Sequence, residues 1–177
     1  MQDFDGEIWL GTKEHGINRV DPEFQNMPIR SNGEEMNFMA SDRISDIYQT
    51  KDSAVWIGLW SGHGFYHYNK KTGKSKRIAQ MYNARTHDWY NDFLEGLDND
   101  LWVASWGGYG LIRVNQKSYS IFPDRMEDVR TAVPSRLITC LLESDSGKLV
   151  VGTYDQGFCI YDFKNETSLI FKDGFPD

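Results

Sequence analysis

The chain has 177 residues, a formal net charge of −7 and 40% apolar residues. This length suits one domain with a sizeable core. The negative charge argues against a nucleic-acid partner, since phosphate backbones are bound by basic surfaces. No segment approaches the roughly 20 apolar residues of a membrane helix, and no signal-peptide pattern opens the chain. The aromatic content of 14% is typical of a protein built from half-buried strands.

A short apolar segment recurs four times at nearly constant spacing. Its anchor positions are separated by 47, 46 and 48 residues, and they are Trp9, Trp56, Trp102 and Val150. A polar turn precedes each copy, and a glycine seven or eight residues after the anchor opens a second apolar run. These glycines are Gly16, Gly64, Gly110 and Gly157. The fixed period indicates a repeat architecture, and the short β-branched and aromatic runs predict strands.

Each complete repeat is predicted to contain four antiparallel strands. In the second repeat these strands cover residues 44–50, 55–60, 65–69 and 75–78, and the third repeat places its fourth strand at 119–123. Four such strands in roughly 45 residues are typical of a β-propeller blade. We therefore predict an all-β chain with three full blades and a partial first blade, forming one propeller fragment. The blades lie at about 1–30, 43–80, 92–123 and 136–171.

The two cysteines fall in one repeat. Cys140 is predicted in its first strand and Cys159 in its third. Strands that are two spacings apart are separated by roughly 10 Å, which is too far for a disulfide. We therefore expect two buried free thiols.

One edge of the predicted sheets collects side chains suited to binding. In an up-and-down blade, the loop after the second strand and the link into the next blade reach the same edge, which we call the rim. The candidate ligand-binding residues at the rim are His15, Trp60, His63, Arg85, Trp89, Tyr90, Trp106, Tyr109 and Tyr154. Aromatic faces with a few polar groups suit a flat amphipathic ligand such as a sugar ring or a peptide. The alternative is that these aromatic residues pack against neighbouring blades.

The sequence carries no motif of an enzyme or a metal site. We find no nucleophile motif and no histidine or cysteine spacing typical of zinc ligands, so no catalytic residue, metal or cofactor is predicted. An enzyme would need a rim histidine, His15 or His63, paired with a carboxylate such as Glu14 or Asp155. That arrangement is the basis of the enzymatic alternative below.

The sequence of the repeat resembles the repeat of a known family. Residues 5–12 read DGEIWLGT and residues 16–21 read GINRVD. They resemble the two-component regulator propeller repeat, roughly D-G-x-[IL]-W-[IVL]-G-T followed by G-[IL]-x-R-[YFV]-[DN]. The later copies depart from it. Leu59 and Ser105 replace the threonine, Ala104 replaces a glycine and Val150 replaces the tryptophan.

This resemblance implies a function that the residues alone do not show. It implies the periplasmic, non-catalytic sensor region of a hybrid two-component histidine kinase of Bacteroides-type bacteria, with an oligosaccharide or another small molecule as ligand. The expected partners are the remaining blades of a larger parent propeller, with a homodimer as a further arrangement. The alternatives are a propeller lyase or hydrolase similar to streptogramin lyase, and a protein-interaction scaffold.

Overall fold

The computed structural model describes residues 1–20, 43–60, 63–78, 89–96, 99–121, 132–144, 146–162, 164–165 and 167–172. These residues are almost entirely strands, turns and bends. The strands are β1 (Ile8–Gly11), β2 (Ile17–Val20), β3 (Ile44–Gln49), β4 (Ala54–Leu59), β5 (Phe65–Asn69), β6 (Lys74–Ile78), β7 (Trp89–Glu95), β8 (Asp100–Trp106), β9 (Leu111–Asn115), β10 (Ile138–Glu143), β11 (Leu149–Thr153), β12 (Phe158–Asp162) and β13 (Thr167–Phe171).

The strands form four sheets in which chain neighbours are also hydrogen-bonded neighbours. The first sheet is β1-β2, the second β3-β4-β5-β6, the third β7-β8-β9 and the fourth β10-β11-β12-β13. This order is an up-and-down meander, as in a propeller blade. The predicted all-β blade architecture is confirmed, and the four repeats of the sequence correspond to the four sheets.

Two sheets are shorter in the described residues. In the third sheet, the predicted fourth strand is reduced to a single bridge between Ile121 and Val114. In the first sheet, a bridge between Gln2 and Ile8 adds the end of an inner strand to β1 and β2. The predicted blade limits at residues 30, 80 and 123 lie outside the described residues. The exact blade bounds therefore stay predictions.

The glycine that opens the third strand of each repeat has a left-handed backbone. Gly16, Gly64, Gly110 and Gly157 have φ angles of 69°, 84°, 70° and 72°. L-residues with a side chain rarely adopt such angles. The recurrence of glycine in the sequence thus reflects one turn geometry that is used four times.

The chain divides into two compact units, residues 1–89 and 90–177. The first unit holds the first two sheets, and the second holds the last two, except that Trp89 of β7 counts with the first unit. We call the side of each sheet that carries the anchor position the anchor face. The opposite side is the receiving face, because in both units it takes the anchor tryptophan of the preceding sheet.

In the first unit, Trp9 of the first sheet is buried against the second sheet. Its ring lies edge-on to Tyr68 of β5, with 6.1 Å between ring centroids. Val55 and Ile57 of β4 belong to the same buried cluster. Val55 is the cross-strand partner of Tyr68, so these side chains share one side of the sheet. The first sheet therefore covers the receiving face of the second.

The second unit repeats this packing. Trp102 of β8 lies edge-on to Tyr161 of β12, again with 6.1 Å between ring centroids. Leu149 and Val151 of β11 complete the cluster. Tyr161, like its counterpart in the first unit, follows the glycine of its repeat by four residues. The anchor tryptophan therefore forms sheet-to-sheet core in both units.

The arginine of the repeat lies over the anchor tryptophan. Arg19 and Arg113 are the cross-strand partners of Trp9 and Trp102. Their guanidinium carbons lie 5.9 Å and 5.5 Å from the indole centroids, which is cation–π distance. The sequence motif therefore encodes a tryptophan–arginine pair on each anchor face that has the consensus residues.

A buried carboxylate fixes the turn before β1. Asp3 accepts hydrogen bonds from the N–H groups of Asp5 and Glu7 at 3.0 and 2.9 Å and from the indole of Trp9 at 2.7 Å. Lys70 of the second sheet donates to Asp3 and, at 2.7 Å, to Asp5. Burial alone would raise the pKa of Asp3, but the bonds from Lys70 and Trp9 and the lysine charge lower it. Lys70 thus ties the two sheets together.

Replacing this lysine should destabilise the first unit. Lys70→Met leaves the fully buried side chain of Asp3 without its cation, and we expect a loss of about 3 kcal/mol in the free energy of unfolding. Lys71→Met is the matched control, since Lys71 is exposed and should change stability by at most about 0.5 kcal/mol. Urea unfolding measures both, and equal losses would contradict this role for Lys70.

Candidate functional site

At the rim of each unit, backbone hydrogen bonds join the loop after the second strand of a sheet to the residues that lead into a first strand. In the first unit, Ile44 N–H donates to Thr12 O and Trp60 N–H to Arg43 O, both at 3.0 Å. In the second unit, Gly107 N–H donates to Arg136 O and Tyr154 N–H to Leu137 O, both at 2.9 Å. In each unit, the loop after a second strand therefore lies beside the start of a first strand.

The rim of the first unit carries a pair of tryptophans. The rings of Trp60 and Trp89 lie 4.5 Å apart with an angle of 31° between their planes, and both are half-buried. His63 is half-buried, and its carbonyl accepts a hydrogen bond from Arg77 Nε at 2.9 Å. His15 is exposed in the turn after β1. Four of the predicted residues, Trp60, Trp89, His63 and His15, therefore lie in this unit, two of them in the tryptophan pair and two in loops after a second strand.

The rim of the second unit carries the more accessible aromatic pair. The rings of Trp106 and Tyr154 lie 4.7 Å apart at 57°, and Tyr154 is 69% exposed. Beside Tyr154, Asp155 accepts a hydrogen bond of 2.5 Å from Ser135. Tyr109 is half-buried in the turn that follows Trp106. This unit therefore offers an aromatic surface with a carboxylate and a hydroxyl next to it.

One predicted rim residue in the described part of the chain does not add to these surfaces. Tyr90 is only 2% exposed, because alternate residues of a strand point to opposite sides and this one points into the core. It is a packing residue in this structure, which corrects its place among the candidate contacts. Arg85 lies outside the described residues.

Hydroxyl side chains that the sequence reading did not single out hold the rim turns. Thr12 Oγ1 donates to Gly16 O at 2.9 Å, and Thr153 Oγ1 donates to Gly157 O at 2.7 Å. The same oxygens accept from the N–H groups of His15 and Gln156. The threonine of the repeat motif is therefore a turn-closing residue. The sequence signal for this role is that threonine ends the motif in both the first and the fourth copy.

The described residues do not assemble an acid–base pair at the rim. The carboxylate of Asp155 is engaged by Ser135, and Glu14 is exposed. His67 lies in β5, away from the rim loops, with its ring 5.0 Å from Trp56, and burial lowers its pKa. In the described ranges, no three His, Cys, Asp or Glu residues are grouped to hold a metal ion. The arrangement suits stacking and hydrogen bonding to a ligand.

The cysteines are free, as expected, but only one of them is buried. Cys159 lies on the receiving face of the fourth sheet, and burial raises its pKa to about 11. Cys140 is exposed. Its cross-strand partner is Gly152, whereas Cys159 pairs with Val151, so the two thiols lie on opposite sides of the sheet. The expectation that both are buried was wrong, because Cys140 lies on the anchor face of this sheet, where its side chain is exposed.

Sheet order, the repeated blade packing and the rim define this protein as an array of β-propeller blades. No protein-family profile matches the sequence, and no curated protein does. The structure is similar to the extracellular domain of the putative hybrid two-component system BT4673 from B. thetaiotaomicron, with a TM-score of 0.72 and 20% identity. That match covers 98% of this chain and 21% of the other.

Other propellers are also similar. Virginiamycin B lyase from Staphylococcus aureus has a TM-score of 0.69 and 13% identity, over 99% of this chain and 55% of that one. A gluconolactonase from Xanthomonas campestris has a TM-score of 0.60 and 14% identity, over 97% and 60%. The chain thus spans only part of each protein. The matches establish the propeller fold, and the match to the extracellular domain of a hybrid two-component system is consistent with the two-component regulator propeller repeat.

No helix in the described part of the chain has the length and hydropathy needed to cross a membrane.

A rim glycine provides a test of the turn geometry. An added Cβ at Gly157 would lie 2.1 Å from Phe171 O at a φ of +72°. At Gly73, with a φ of +66°, a Cβ would meet nothing within 4 Å. We expect Gly157→Ala to lower the free energy of unfolding by about 3 kcal/mol and Gly73→Ala by about 1 kcal/mol. Chemical denaturation measures both, and equal losses would contradict the close approach.

Proposed function

We propose that this chain is the ligand-binding, non-catalytic region of an extracytoplasmic two-component sensor and that it recognises an oligosaccharide at the rim. The observation that carries the proposal is the accessible aromatic pair of the second unit. Tyr154 is 69% exposed beside Trp106 and has Asp155 and Ser135 next to it. Paired aromatic rings with polar groups beside them suit a ligand that has flat apolar faces.

The chemistry of this surface fits a sugar. The C–H face of a pyranose stacks on an aromatic ring, while its hydroxyl groups need acceptors and donors at the edge of that ring. Asp155 supplies an acceptor, and Ser135 supplies a hydroxyl at the same place. The net charge of −7 disfavours an anionic glycan. The proposed ligand is therefore a neutral oligosaccharide.

The proposed role is recognition, with the signal produced elsewhere in a longer protein. A ligand shifts a conformational equilibrium only by its difference in affinity for the two states. Binding across neighbouring rim loops would supply that difference, because these loops are bonded to the first strands of the sheets. The similar extracellular domain of a hybrid two-component system supports a periplasmic location. The kinase would belong to the parent protein.

Calorimetric titration with a panel of neutral oligosaccharides tests this proposal. Trp106→Ala and Tyr154→Ala should each weaken binding at least about tenfold, because the stacking surface is lost. Phe4→Ala is the matched control. Phe4 is 68% exposed, but it lies in the turn before β1, at the opposite end of that strand from the rim loop. It should leave the affinity unchanged.

The same titration separates the alternatives. Absence of binding to every sugar, or an equal loss in the Phe4 variant, would contradict carbohydrate recognition at the rim. Release of a cleaved product that is abolished by His63→Ala would replace the sensor with a lyase or hydrolase. Binding of a protein without any sugar affinity would favour a scaffold.

A further inference from the structure

A serine in the link into the fourth sheet holds the carboxylate at the rim of the second unit. Ser135 Oγ lies 2.5 Å from Asp155 Oδ1, and the N–H of Leu137 donates to the same Oγ at 2.9 Å. An ionised carboxylate only accepts hydrogen bonds, so Ser135 donates its single hydroxyl hydrogen to Asp155. The direction of both bonds is therefore fixed.

The backbone around this bond connects both aromatic residues of the rim pair. Tyr154 N–H donates to Leu137 O at 2.9 Å, and Trp106 forms a β-bridge with Leu137. The turn that follows Trp106 also lies close to the serine, since a Cβ added at Gly110 would be 3.4 Å from Ser135 O. The two rings and the carboxylate are thus held on one frame of backbone contacts.

The loop that carries Tyr154 and Asp155 is also closed at its base. Thr153 N–H donates to Gly157 O at 2.9 Å, and Thr153 Oγ1 accepts from the N–H of Gln156 at 3.0 Å. Side chains that are held in place before binding lose less conformational entropy when a ligand arrives. The loop is therefore suited to present the carboxylate in one orientation.

The serine–aspartate pair offers a ligand acceptors and no donor. The hydroxyl hydrogen of Ser135 is already given to Asp155 Oδ1, so what the carboxylate can add is further lone pairs, those of Oδ2 included. Two neighbouring hydroxyl groups of a ligand can fill these lone pairs together. A methyl ether, which only accepts, would displace water from the carboxylate without replacing its hydrogen bonds.

We infer that Asp155 selects sugars that present two neighbouring free hydroxyl groups at the surface of Trp106 and Tyr154, and that Ser135 is the positioning residue for its carboxylate. This inference rests on the proposed recognition of an oligosaccharide at the rim, and it specifies what the bound sugar has to offer. The rings bind the apolar face of many sugars. The carboxylate adds discrimination, since a site built to accept from a hydroxyl group disfavours an analogue that lacks it.

Calorimetric titration with matched pairs of sugars tests this selection. Each pair is a neutral oligosaccharide and its O-methylated counterpart, which keeps the sugar rings but lacks the donors. The wild type should bind the free sugar at least about tenfold more tightly than the methylated one. Asp155→Asn should weaken binding of the free sugar at least about tenfold and reduce this preference, because the amide is uncharged and adds a donor that suits an ether oxygen.

Variants of Ser135 separate positioning from a general structural effect. Ser135→Ala should reduce the preference for the free sugar about threefold, whereas Ser135→Thr keeps a hydroxyl group and should behave like the wild type. Ser118→Ala is the matched control, since Ser118 Oγ donates to Asn115 Oδ1 at 3.0 Å in the turn after β9, away from the rim loops. It should change neither affinity. An equal loss for both sugars in Ser135→Ala would contradict the positioning role.

The outcomes also separate this inference from the proposed function. If Trp106→Ala abolishes binding but Asp155→Asn binds both sugars as the wild type does, the rim recognises sugar and the selection by Asp155 is wrong. If the wild type binds no sugar of the panel, the proposed function fails and this inference fails with it. Unchanged circular dichroism of the variants shows that they fold.

Discussion

The contact of one aromatic pair holds successive sheets together. In each unit an anchor tryptophan lies edge-on to a tyrosine of the following sheet with 6.1 Å between ring centroids. Edge-to-face rings at this distance combine apolar burial with favourable quadrupole geometry. Other contacts place the indole ring of the anchor tryptophan. They are the arginine that lies over the ring and the turns before and after its strand. The rim is a consequence, because sheets packed in this way bring their loops to one edge.

Much of this arrangement could be predicted from the sequence because it depends on local rules. Tryptophan at a fixed step marks the core, and a glycine at a fixed offset marks a left-handed turn. The exposure of Cys140 and the burial of Tyr90 could not be predicted in this way. The exposure of Cys140 depends on whether another sheet covers its side of the fourth sheet. The burial of Tyr90 depends on the register of β7, since a shift of one residue reverses the side to which a side chain points.

The structure separates two kinds of surface. The rim aromatics stand beside hydroxyl and carboxylate groups, which suits a polar ligand with flat apolar faces. On the anchor face of the fourth sheet, the exposed side chains of Leu142 and Leu169 form an aliphatic surface instead. The sequence predicted the rim as a region, but the turn-closing role of Thr12 and Thr153 and the shared side of Leu142 and Leu169 could be seen only from the strand register.

The central claim is that the anchor tryptophan, and not tryptophan in general, holds neighbouring sheets together. Guanidinium unfolding of Trp102→Leu and Trp106→Leu tests it most directly, because both residues belong to β8, one inside the strand and one at its end. Trp102 is buried between two sheets and Trp106 is half-buried at the rim. The account predicts a loss of about 3 kcal/mol for Trp102→Leu and at most about 1 kcal/mol for Trp106→Leu. Equal losses, or a larger loss at Trp106, would contradict it.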